Sequence, residues 1–194
     1  MIDIDLIKQL RKETGISLAE CKRALEEARG DLERAKEILR KWGQEVAGKK
    51  AEREAKEGIV DSYLHLNKRI GVLLDIRCES DFVAKSPDFQ KLAHELCLQI
   101  AAMKPLFVKE DDIPKEIIAK EKEIYKEQLK DSGKTHKIID EILEGKLEKY
   151  KKEISLFSQL WIKDEARTVK NLIDEYIAKV GENIVIKKFT RYEI

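Results

Sequence analysis

Val72, Leu74, Ile76 and Cys78 stand two apart in a chain whose other apolar residues step mostly by three and four. Period two puts all four on one face of a strand. Ile70 to Cys78 therefore reads as a strand, and Ile59 to Leu66, joined to it near Asn67-Lys68, as its hairpin partner. Ile184 to Tyr192 reads as a last strand. The expectation is an α+β fold: one three-stranded antiparallel sheet, with strands at about 59–66, 70–78 and 184–192, covered by helices.

Three short helical patterns precede the hairpin. Leu6, Ile7 and Leu10 form one stripe, which ends near Thr14-Gly15. Ser17 and Glu20 have the spacing of a capping box, and Cys21, Ala24, Leu25 and Ala28 follow on one face up to Gly30. Asp31 caps a third helix, with Ala35, Ile38, Leu39 and Trp42 inside and Gly43 as its stop. Residues 1–43 are thus expected to form a three-helix bundle near the lower size limit for independent folding. Gln44 to Glu57 is rich in Lys, Glu and Ala, with Val46 its only large apolar residue. It reads as a charged, partly helical linker over 44–57. Residues 58–194 are left as the α+β core.

Within that core, Ser86 and Pro87 look like the cap and first residue of a helix. Phe89, Leu92, Ala93, Leu96, Ile100 and Met103 mark its inner face, and Pro105 ends it. Asp111-Asp112 before Pro114 opens a helix with Ile117, Ile118, Ile124 and Tyr125 as apolar positions, stopped at Ser132-Gly133. A longer helix begins near Thr135. Its residues Leu143, Leu147, Tyr150, Ile154 and Phe157 step by four and three, the spacing of a coiled-coil seam, with Gly145 a weak point. The two should make a projecting antiparallel helical hairpin at about 114–158. A loop, Gln159 to Arg167, carries Trp161; Thr168 then caps a helix that Gly181 ends.

Charged residues make up 40% of the chain, yet the net charge is only +1. Neither the total nor any local basic run makes a case for direct nucleic-acid binding. No apolar run approaches the roughly 20 residues of a membrane span. The acidic start, Ile2-Asp3-Ile4-Asp5, lacks a signal-peptide pattern. Cys21, Cys78 and Cys97 have no metal-type spacing. A reduced, cytoplasmic protein without metal or cofactor is expected. Gly133-Lys134-Thr135 resembles the end of a phosphate-binding loop, but that motif needs a Gly where Gln128 stands and a strand before the loop. A helix–helix turn is the plainer reading. Cys78 and His65 could be drawn as a nucleophile and base on neighbouring strands, but no third residue is marked to orient them. No catalytic residue is assigned, and the pattern suggests a binding protein rather than an enzyme.

Between the second strand and the Ser86-Pro87 helix start lies a short turn, Ser80 to Lys85. From this segment alone Phe82 reads as an inward anchor, because aromatics bury large apolar area in cores. A resemblance reverses that reading. The run Leu10-Arg11-Lys12-Glu13-Thr14-Gly15-Ile16-Ser17-Leu18-Ala19-Glu20-Cys21-Lys22-Arg23-Ala24-Leu25 resembles the first signature of the elongation factor Ts family, which lies in a ubiquitin-associated-like three-helix domain. Cys78-Glu79-Ser80-Asp81-Phe82-Val83-Ala84 resembles its second signature, with Ser80 where Thr is usual. Val180-Gly181-Glu182-Asn183-Ile184-Val185-Ile186-Lys187-Lys188-Phe189 resembles its closing strand. Ile142 to Lys163 is similar too, with Leu160 and Trp161 replacing the common Pro-Phe.

The resemblance implies a guanine-nucleotide exchange factor for elongation factor Tu. Family members press their second signature on the partner's nucleotide-binding domain and displace the Mg²⁺ that holds GDP. By that correspondence Ser80, Asp81, Phe82 and Val83 are the working segment, with Phe82 the wedge and Asp81 the polar contact that orients it. Arg11, Leu18, Ala19 and Lys22 correspond to a second contact with the same domain; taken alone, Leu18 reads as core and Lys22 as a solvated charge. Short family members are associated with a symmetric homodimer, and this chain, like them, is expected to carry a single core sheet. The alternatives are a ubiquitin-associated-type adaptor, a coiled-coil scaffold built on Leu143 to Phe157, and, more distantly, a cysteine-dependent enzyme.

Overall fold

A computed structural model describes residues 2–130 and 135–194. The helix stop at Ser132-Gly133 and the Gly133-Lys134 part of the phosphate-loop resemblance lie outside the described residues. In chain order the elements begin with α1 (Ile4–Thr14), α2 (Leu18–Glu27), α3 (Leu32–Lys50), β1 (Glu57–Leu64), β2 (Ile70–Cys78), α4 (Asp81–Ala84) and α5 (Pro87–Met103). They continue with α6 (Lys115–Leu129), α7 (His136–Ile154), β3 (Leu160–Trp161), β4 (Asp164–Thr168), α8 (Val169–Val180) and β5 (Val185–Glu193). The fold is α+β. It divides into two compact units: residues up to Leu98 together with Asn171–Ile194, and Gln99–Lys170.

The first unit opens with the bundle. Asp3, Ser17 and Asp31 cap α1, α2 and α3, their side-chain oxygens accepting from the N–H groups of Asp5, Glu20 and Arg34. Leu10, Cys21, Leu25, Ala35 and Leu39 fill its core. The sheet is antiparallel with β2 in the centre, in the order β1-β2-β5. Val72, Leu74, Ile76 and Cys78 are buried on one face, as their spacing predicts. Phe89, Leu92 and Leu96 of α5 and Leu172, Ile173 and Ile177 of α8 are buried with them. Lys179 on α8 pairs with Asp88 on α5 at 2.6 Å. The opposite face of the sheet stays open. Its rows run Leu64–Gly71–Tyr192, Ser62–Leu73–Thr190 and Val60–Asp75–Lys188. Val60, Leu64, Leu73 and Tyr192 on it are each more than half exposed.

One helix end differs from expectation. α3 does not stop at Gly43 but continues to Lys50. Gly43 and Ala47 are buried on its inner side, and a Cβ at Gly43 would lie 3.6 Å from the Asp174 carbonyl oxygen and 3.7 Å from the Ala178 Cβ. Gly43 thus gives α3 a close approach to α8 instead of a terminus. At the end of the helix the Lys50 ammonium donates to the Gly181 carbonyl at 2.6 Å, and beyond it the Asn183 amide donates to the Arg53 carbonyl at 2.7 Å.

In the second unit α6 and α7 lie antiparallel. The Lys146 ammonium donates to Gln128 at 3.2 Å and sits 4.9 Å from the Tyr125 ring centroid. Leu143, Leu147 and Ile154 are buried, α7 runs unbroken through Gly145, and Phe157 falls in a 3₁₀ turn after the helix. The expected loop around Trp161 is instead a small ribbon, β3 paired with β4. The Arg167 guanidinium covers the Trp161 ring at 4.8 Å, and the buried Gln99 amide bonds both the Leu160 carbonyl and the Ile162 N–H. Among the described residues no helix is long and apolar enough to cross a membrane.

Candidate functional site

The chain from Cys78 to Ala84 leaves the central strand and makes one helical turn. Ser80 caps it, its Oγ accepting from the Val83 N–H at 3.4 Å. Cys78 and Ala84 point inward and are buried, while Phe82 is 83% exposed. The inward reading of Phe82 is therefore corrected: small side chains fill the space beneath the turn, and the large ring is left outside. Asp81 pairs with Lys85 one turn later at 2.7 Å. The Lys85 hydrogen bond holds the Asp81 carboxyl below the usual range and raises the Lys85 ammonium in return.

Besides its own cap and its packing on β1 and β2, the turn is held from the loop before β5. The Glu182 carboxylate accepts from the Glu79 N–H at 3.1 Å, the Ser80 N–H at 2.9 Å and the Ser80 hydroxyl at 2.6 Å. In the other direction the Glu79 carboxylate accepts from the Asn183 N–H at 2.7 Å. Glu182 lies within the segment that resembles the family's closing strand, and nothing in its local spacing marks a role. A contact across about a hundred residues has no local pattern.

The second group of residues lies on the bundle. Leu18, Ala19 and Lys22 line an open apolar groove of about 330 Å³ with Ile4, Ile7 and Lys8. Leu18 is 47% exposed, which corrects its reading as core. Arg11 is exposed but is not among the groove's lining residues. Lys22 pairs with Glu26 at 3.8 Å on the surface. Ile4, Ile7 and Lys8 were not singled out for this surface, although their spacing puts them on one helical face.

The structure does not bring Cys78 and His65 together. Cys78 lies opposite Glu57 at one end of the hairpin, whereas His65 follows β1 at the other. The His65 ring bonds the Tyr63 hydroxyl at 2.8 Å, and the Cys78 thiol donates to the Ser80 carbonyl at 3.2 Å. Burial, with the Glu182 charge adding to it, pushes the Cys78 thiol up to about 11, the opposite of what a nucleophile needs. Among the described residues no group of three His, Cys, Asp or Glu is placed to hold a metal ion.

Comparison with known proteins covers nearly the whole chain. The family profile described as Elongation factor TS matches residues 6–194. An Elongation factor Ts from Thermotoga petrophila is 55% identical over 193 residues, covering 100% of this chain and 96% of that protein. One from Thermosipho melanesiensis is 51% identical, over 100% of this chain and 99% of its own length. One from Carboxydothermus hydrogenoformans is 49% identical, over 100% and 89% respectively. The chain is thus one of the elongation factors of protein synthesis. It belongs to the elongation factor Ts family.

Proposed function

We propose that this chain is the guanine-nucleotide exchange factor of elongation factor Tu, and that Ser80, Asp81, Phe82 and Val83 are the segment it applies to the partner's nucleotide-binding domain. The observation that carries this reading is Phe82, a ring 83% exposed on a turn whose flanking small residues are buried. An exposed aromatic on a fixed turn is the kind of anchor that dominates binding energy at protein interfaces. The partner's Mg²⁺ neutralises diphosphate charge and demands near-ideal octahedral geometry. Displacing its ligands slightly therefore costs GDP much of its affinity. Coupling is reciprocal, so incoming nucleotide expels the factor in turn. The chain needs no catalytic group or cofactor for this, and it acts in the cytoplasm. The groove beside Leu18, Ala19 and Lys22, with Arg11 on the same bundle, serves as a second contact that adds affinity. The bundle of α1, α2 and α3 acts as the ubiquitin-associated-like module that carries it.

The same reading includes a homodimer. The open sheet face bearing Val60, Leu64, Leu73 and Tyr192 supports it, since contiguous exposed apolar surface marks interaction sites. The central experiment is release of fluorescent GDP from elongation factor Tu. Catalytic amounts of this chain should accelerate release. Unchanged release at a large excess of the chain would overturn the assignment.

A further inference from the structure

A four-residue helix cannot hold itself. Nucleating a turn fixes several dihedrals for one hydrogen bond, so α4 needs an external support to keep Phe82 in one position. Glu182 supplies the acceptors. Its three hydrogen bonds go to the Glu79 N–H, the Ser80 N–H and the Ser80 hydroxyl, the residues that lead into the turn. Hydrogen bonds to an ionised carboxylate are roughly twice as strong as neutral ones. The Ser80 bond also sets the hydroxyl rotor: with its proton given to Glu182, the oxygen offers its lone pairs to the Val83 N–H that it caps. The loop that carries Glu182 is tied in its turn. The Asn183 N–H donates to Glu79, and the Asn183 side chain donates to the carbonyls of Ala51 and Arg53.

We propose that Glu182 is the positioning residue for exchange: its carboxylate presets the Glu79-Ser80 backbone so that α4 presents Phe82 at a fixed angle to the partner. The proposal rests on the reading of Asp81-Phe82 as the exchange segment. Glu182 itself need not touch the partner. Its loss should therefore lower the rate of GDP release at saturating factor more than it weakens binding.

The test compares Glu182→Ala, Glu182→Gln, Phe82→Ala and the Glu182→Ala/Phe82→Ala pair in the full chain, with melting and GDP release followed together. Glu182→Ala should lower the saturated release rate about tenfold or more, with the half-saturating concentration changed by less than about threefold. Glu182→Gln keeps one oxygen for the two backbone N–H groups and should recover much of that rate. The double variant should be no slower than Phe82→Ala, because Glu182 acts through Phe82. Losses that multiply in the double variant would overturn the proposal, as would a wild-type saturated rate for a folded Glu182→Ala. If Phe82→Ala itself keeps full exchange, the reading of the segment fails and this proposal with it. Loss in Phe82→Ala with full activity in Glu182→Ala sinks the positioning role alone. Should Glu182→Ala not fold, Glu182→Asp decides, because it withdraws the carboxylate by one methylene from the Glu79 and Ser80 donors: a reduced saturated rate with native melting supports the role, and a wild-type rate overturns it.

Discussion

At the scale of single residues, two readings of Phe82 lead to opposite phenotypes. A buried Phe→Ala change costs about 3–5 kcal/mol of stability. With the ring 83% exposed, Phe82→Ala should instead change folding stability by less than about 1 kcal/mol and remove about 2 kcal/mol or more from the complex. Thermal unfolding and GDP release on one preparation separate the two. Near-native melting with lost exchange is expected, and Asp81→Ala should show a milder loss. The cysteines make a pH prediction. Burial raises all three thiols, Cys78 to about 11 and Cys97 to about 12, from an ordinary value of 9.0. A thiol kept neutral in the folded state stabilises it fully below the unfolded value. That contribution is lost as pH rises through the folded one, because the unfolded chain ionises first. Urea midpoints should therefore fall between pH 9 and pH 11, and Cys97→Ala should reduce the slope of that fall. The outward direction of Phe82 was not legible locally. It depends on Cys78 and Ala84 filling the space beneath the turn; the family resemblance, together with the segment's place on a turn before the Ser86-Pro87 helix start, pointed the right way.

Among the elements, strands and large apolar stripes were legible because period and burial coincide. Val72 to Cys78 needed no more than alternation. The end of α3 was misread because Gly43 and Ala47 carry no hydrophobic signal, and a glycine after an apolar stripe has two meanings. Here it means close packing, and the distances are ordinary ones for a methyl group. Gly43→Ala should therefore stabilise the protein by about 0.5–1 kcal/mol through helix propensity. Gly43→Leu should destabilise it by about 1–3 kcal/mol through overpacking against α8. Melting temperatures of the two variants should move in opposite directions, and a loss in both would mean the helix does not continue through this position in solution. The ribbon at Leu160 to Thr168 was hidden for a different reason: Gln99, a buried polar residue on a largely apolar helix face, organises it from about sixty residues away.

For the whole molecule, the sheet leaves open a face that bears Val60, Leu64, Leu73 and Tyr192, and the proposed dimer would cover it. Light scattering at micromolar concentration under reducing conditions should give twice the chain mass. Leu73→Lys with Tyr192→Lys should return it to a monomer with a native melting curve, and a monomeric wild type across that range would overturn the dimer. No disulfide should be involved, since all three cysteines are free and buried. The site was legible only in part at this scale. Its motif is contiguous, but its support is not: Glu79 and Glu182 are 103 residues apart. That separation has a consequence for synthesis. While the chain emerges from a ribosome, one side of the central strand stays unpaired and the turn bearing Phe82 lacks its anchor until residues near 182 have left the exit tunnel. The nascent chain carries its signature early, but that signature is held in place only once a segment made about a hundred residues later has emerged.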